Sequence, residues 1–94
     1  MNFLTKRDLR DEQIKADILN RLVYAGAFGT YHIPIDQMRS WIQNKLKRNG
    51  KTVTRCIEDL SRVGLIQKTS RNTIYATHDR LDEIYEYIDK HLKD

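Results

Sequence analysis

Between Gln37 and Ile57 stand six basic residues, Arg39, Lys45, Lys47, Arg48, Lys51 and Arg55, and no acidic one. Ammonium and guanidinium groups at this density bind anions, and a phosphate backbone is the anion they suit best. Arg62, Lys68 and Arg71 follow before His78, again with no acid between them. From Asp79 onward the balance reverses, with six acids against three bases. Such segregation is expected when one surface faces a polyanion and another faces away. Lys47, Arg48, Lys51 and Arg55 also crowd the start of a helix, where the backbone dipole is already positive. That placement is locally unfavourable by roughly 0.3–1 kcal/mol per charge, which a bound anion would offset. The plain alternative is a solvated helix face, charged as such faces are in any soluble protein.

Other chemistries find less support. His32, His78 and His91 lie on separate elements without metal-ligand spacing, so no metal is expected. Cys56 reads as a buried small hydrophobe; the neighbouring Arg55 leaves a redox-sensing thiol as the second reading. No phosphate loop, nucleophile elbow or acid/base set can be assembled, so neither an enzyme nor a cofactor is expected. Trp41 falls on an apolar stripe and reads as core rather than a ligand-stacking ring. Tyr24, Phe28 and Tyr31 are expected to pack around the end of the first helix.

The elements that must position the basic groups follow from periodicity. With 94 residues and a net charge of +4, the chain has room for one domain with a small core. One cysteine excludes a disulfide framework, and no apolar run could span a bilayer, so a soluble cytoplasmic protein is expected. Residues 1–7 read as an arm. Ile14, Ile18, Leu19, Leu22 and Ala25 mark a first helix from about Asp8, stopped by Gly26 or Gly29. "TYHIP" reads as a short edge strand, because Pro34 cannot donate to a ladder. Asp36 is expected to cap a second helix whose buried stripe is Met38, Trp41 and Ile42, with Leu46 as a further candidate. After the turn residues Asn49 and Gly50 comes a third helix with Val53, Cys56, Ile57, Leu60 and Val63, stopped by Gly64. Residues 65–69 and 73–77 read as a hairpin with Ser70, Arg71 and Asn72 at its tip. Thr77 or Asp79 would cap a last helix bearing Leu81, Ile84, Ile88 and His91 or Leu92.

Two short helices joined by a tight turn form a helix-turn-helix unit, here 36–63, and a hairpin directly after it is the position of a wing. At Asp36 to Ile42, Val53 to Val63, "GLIQK" (64–68) and "TIYAT" (73–77), the chain resembles the winged-helix DNA-binding family. Its small size and C-terminal helix resemble PadR-type and MarR-type regulators, and archaeal plasmid-segregation adaptors built on a PadR-like fold. The resemblance implies a mainly α fold with a small β-hairpin, a winged helix-turn-helix with an additional C-terminal helix: an arm (1–7), a DNA-binding domain (8–78) and a C-terminal helix for dimerisation (79–94).

The same resemblance implies double-stranded DNA as partner. Lys51, Thr52, Thr54 and Arg55 would face bases, Arg55 being best suited to a bidentate guanine contact. Arg39, Lys45, Lys47, Arg48, Asn49 and Lys68 would contact phosphates and set register. Ser70, Arg71 and Asn72 would form the wing tip, with Arg71 either in the minor groove or an ordinary exposed turn residue. For the last helix two readings stand: it packs back on the first helix, or, as in PadR-like proteins, Leu81, Ile84, Tyr85, Ile88 and Leu92 join a homodimer on a palindromic site. The expected use is transcriptional regulation. The rivals are a centromere-binding partition adaptor that spreads on DNA with a partner protein, and a winged-helix protein-interaction module.

Overall fold

The computed structural model describes residues 3–46 and 50–92. The chain is mainly helical, with a small three-stranded antiparallel sheet. In order it runs α1 (Phe3–Ala25), β1 (Ile33–Pro34), α2 (Ile35–Leu46), α3 (Gly50–Arg62), β2 (Ile66–Lys68), β3 (Thr73–Ala76), a single 3-10 turn (His78–Arg80) and α4 (Leu81–Leu92). This order is the one the periodicity predicts. The start of the first helix differs: α1 begins at Phe3, so the segment expected as an arm is helical from its third residue.

Both helix stops are built around glycine in the left-handed conformation. At the end of α1, Gly26 (φ 73°) donates to Val23 O and Ala27 donates to Leu22 O. At the end of α3, Gly64 (φ 86°) donates to Ser61 O and Leu65 donates to Leu60 O. Each pair of bonds satisfies two carbonyls that the helix leaves without partners, and brings an apolar residue back onto the last turn. Leu65 is thereby buried, whereas Val63, expected to continue the α3 stripe, is 56% exposed because the chain has already turned.

Gly64 also lies against the end of the Arg80 side chain. A Cβ there would lie 2.5 Å from Nη1 of Arg80, which donates to Val63 O at 2.7 Å. Gly64→Ala is therefore expected to destabilise the fold by about 1–2 kcal/mol from the left-handed backbone alone. Thermal unfolding would show it as a lowered midpoint, with Gly26→Ala, where the added Cβ meets no atom within 4 Å, showing the backbone cost without the clash.

The sheet has β3 in the centre, with Ile33 opposite Ile74 on one side and Ile66 opposite Ala76 on the other. Pro34 sits on the edge strand, exposed, where its missing N–H costs no ladder bond. Ile74 and Ala76 turn inward and meet a core of Ile14, Ile18, Leu19, Leu22, Met38, Ile42, Ile57 and Leu60. Trp41 packs against that core at its edge. Ile84 of α4 is fully buried in the same cluster. Two helix starts differ from expectation. Asp36 lies inside the first turn of α2, bonded to Arg39, instead of preceding the helix. Thr77 precedes the 3-10 turn, but its hydroxyl donates to Gly64 O at 2.7 Å, tying α4 to the end of α3.

The aromatic residues near the end of α1 do not cluster. Tyr24 is 85% exposed and Tyr31 half-exposed, while Phe28 packs against the core and meets His78 edge-on. Tyr24 and Ala25 both belong to the last turn of α1 and both are exposed.

Candidate nucleic-acid interface

Arg39 of α2 and Lys51, Thr54 and Arg55 of α3 line an open depression. Lys51 and Arg55 are one helical turn apart, so they share a face, and both are exposed. The lining thus holds three cations and a hydroxyl, a composition that accepts phosphate oxygens or the acceptor edge of guanine. Thr54 is half-buried.

Thr52, expected to face a base, is a correction. It is 7% exposed, because it stands four residues before Cys56 and so widens the buried stripe of Val53, Cys56, Ile57 and Leu60. Of the remaining expected contacts, Lys45 stands in the last turn of α2. Lys47, Arg48 and Asn49 lie outside the described residues. Lys68, at the end of β2, is exposed and pairs with Glu58 of α3 at 2.5 Å. Arg39 pairs with Asp36 at 2.7 Å. Exposed pairs of this kind are worth about 0–1 kcal/mol, so an incoming phosphate could take either cation at small cost.

The hairpin tip is short and well tied. Thr69 N–H donates to Thr73 O, its hydroxyl meets that of Thr73 at 2.7 Å, and Arg71 N–H donates to the Thr69 hydroxyl. Asn72 takes the left-handed conformation (φ 61°), which asparagine tolerates better than most residues. Its carbonyl accepts from Ile35 N–H, fixing the tip to the start of α2. Ser70, Arg71 and Asn72 are all exposed.

The seam between α1 and α3 is crossed by two ion pairs of opposite polarity. Asp11 Oδ2 accepts from Arg55 Nη2 at 2.7 Å, and Lys15 meets Asp59 at 3.4 Å. Burial pushes the Asp59 carboxyl up, but hydrogen bonds from Arg62 and Lys15 outweigh it and hold the group below the usual range. That stabilisation is present at neutral pH and lost as the carboxyl is protonated in acid. Sequence reasoning missed the Asp11–Arg55 pair: the partners are 44 residues apart, and only the packing of α1 on α3 joins them.

Cys56 is buried in the same seam. Burial first, and the nearby Asp11 carboxylate second, push its thiol up to about 11. The thiol is therefore protonated at neutral pH, which favours the structural reading over the redox one. Native protein is expected to react with a thiol-specific reagent at pH 8 only after denaturant is added. The folded chain holds this proton to about pH 11, while an unperturbed thiol releases it near 9.0. Stability from this source is complete below the lower value and lost as pH rises toward the higher.

On the far side, α4 lies against α1, with Tyr87 donating to Glu12 and His91 Nε2 at 3.8 Å from the same carboxylate. Of the expected dimer residues, Ile84 is a correction: it is fully buried within the single chain, since α4 lays that face on the core. Leu81 and Ile88 are partly buried against the core, while Tyr85 and Leu92 are exposed, at 50% and 37%.

The three histidines each have a local contact. His32 stacks on Tyr75 and shares a hydrogen bond with Gly29 O, His78 meets Phe28, and His91 tilts on Tyr87. Among the described residues no group of three or more His, Cys, Asp and Glu side chains could hold a metal ion. Nor is any described helix long and apolar enough to cross a membrane. Comparison with family models, with curated proteins and with solved structures finds no match to this chain.

Proposed function

We propose that the chain is a winged helix-turn-helix protein, PadR-like in plan, that binds double-stranded DNA as a homodimer and regulates transcription at a palindromic site in the cytoplasm. The carrying observation is the depression between α2 and α3, lined among the described residues by Arg39, Lys51, Thr54 and Arg55, none of them a carboxylate. A hairpin follows α3 directly and carries Arg71 at its exposed tip, the arrangement a wing requires. In this reading α3 enters the major groove, Lys51 and Arg55 reach base edges, and Arg39 and Lys68 hold phosphates. Dimerisation through α4 rests on Tyr85 and Leu92, the apolar side chains that helix leaves exposed. Aromatic side chains are enriched at such interfaces. A two-fold dimer would set its recognition helices roughly 34–36 Å apart, one turn of DNA.

Selection from a random duplex library at two salt concentrations, followed by footprinting of the winner, tests the proposal. A palindrome protected over one discrete length is the expected result. A footprint that lengthens with protein concentration would replace the regulator by a partition adaptor that spreads on DNA. Absence of enrichment at both salts would overturn DNA binding and favour a protein-interaction module.

A further inference from the structure

Arg55 differs from the other cations of the depression in who holds it. Arg39 is paired within its own helix, to Asp36 three residues away, whereas Arg55 is held from α1 by Asp11. The Asp11 side chain is 23% exposed, and its Oδ1 is buried with no hydrogen-bond partner among the described residues. Its described pairing therefore falls on Oδ2, which takes one Nη2 proton of Arg55 at 2.7 Å. A guanidinium carries five N–H donors in a rigid fork, so one such bond leaves donors for a second acceptor. The Arg55 side chain remains 55% exposed.

A neutralised, oriented guanidinium and a free one prefer different targets. A free one is drawn to any phosphate, because charge dominates that contact and sequence does not enter it. One already paired with a carboxylate has lost much of that general attraction, yet it keeps the directional donors that recognise O6 and N7 of guanine. We infer that Asp11 is a positioning residue that sets specificity, holding Arg55 from behind so that it reads a base edge instead of seizing the nearest phosphate. The inference rests on the DNA-binding reading above and assigns a role to a residue that lies outside α2, α3 and the hairpin.

The test measures affinity of the full chain for its selected duplex and for a random duplex of equal length, across a salt series. Four proteins are compared: wild type, Asp11→Asn, Arg55→Ala and the double variant. Asp11→Asn should bind the random duplex about threefold or more tightly and steepen its salt slope by about 0.9, the increment for one more phosphate neutralised. The selected duplex should gain less, so the ratio between the two falls. In the Arg55→Ala background the Asp11 substitution should change the ratio little. An unchanged ratio in Asp11→Asn would overturn the inference while leaving DNA binding intact. An equal change with and without Arg55 would also overturn it, since that reports net charge alone. Failure of the wild type to bind any duplex at low salt would remove both proposals together. Asp11→Ser, which also removes the charge, serves the same comparison if Asp11→Asn does not fold.

Discussion

Arg55→Ala is expected to lower affinity for the preferred duplex by roughly fivefold to more than a hundredfold while leaving random duplex nearly unaffected, a loss of about 1–3 kcal/mol of discrimination at one base pair. The reason lies in the geometry of the depression. Arg55 is its one guanidinium on α3, exposed, and oriented from α1 by Asp11. Arg39→Ala supplies the contrast. Arg39 sits on α2, across the depression, and in the proposed docking it holds a phosphate rather than a base edge. Its loss should weaken all duplexes alike and flatten the salt slope by about 0.9. Binding isotherms on matched, single-mismatch and random duplexes would separate the two. Equal, sequence-independent losses for both variants would rule out Arg55 as a base reader.

How much of the fold and site is legible in the sequence depends on how local each signal is. Helix stops were readable because a glycine in the left-handed conformation is a one-residue requirement, met at Gly26 and Gly64. The edge strand was readable because proline's missing donor acts at a single position, and the hairpin because its tip residues suit a turn. The direction of individual side chains was less so. Thr52 adjoins the apolar stripe of α3, and a polar residue there reads outward until the helix is rotated against its neighbours and it proves buried. Tyr24 and Tyr31 look like core by type, yet both lie outside it, at 85% and 52% exposed. The extent of α1 was hidden for the opposite reason: the basic, polar opening of the chain has no periodic stripe to announce a helix. Contacts across the fold were the least accessible. Nothing near Arg55 in the sequence indicates Asp11, and the pair exists only once α1 and α3 are packed.

The last helix separates two roles that share one apolar stripe, and a pair of substitutions tells them apart. Ile84 is fully buried in the single-chain core, so Ile84→Ala should cost about 2–5 kcal/mol of stability. For a chain of this size that is a large share of a total usually between about 5 and 15 kcal/mol, and chemical denaturation should show it clearly. Tyr85 is one position further on and half-exposed, with Asp82 and Glu86 exposed beside it on the same outward face. Tyr85→Ala should leave the unfolding of the monomer within about 0.5 kcal/mol of wild type, as surface changes do. If α4 also joins two copies, that same variant should shift sedimentation toward monomer. The acids flanking Tyr85 add a second expectation. Two-fold pairing of this face would bring like charges together, so added salt should tighten the dimer by screening them, even as it weakens the hold on DNA. A protein whose association is insensitive both to Tyr85→Ala and to salt would owe nothing to the α4 face beyond its packing on α1.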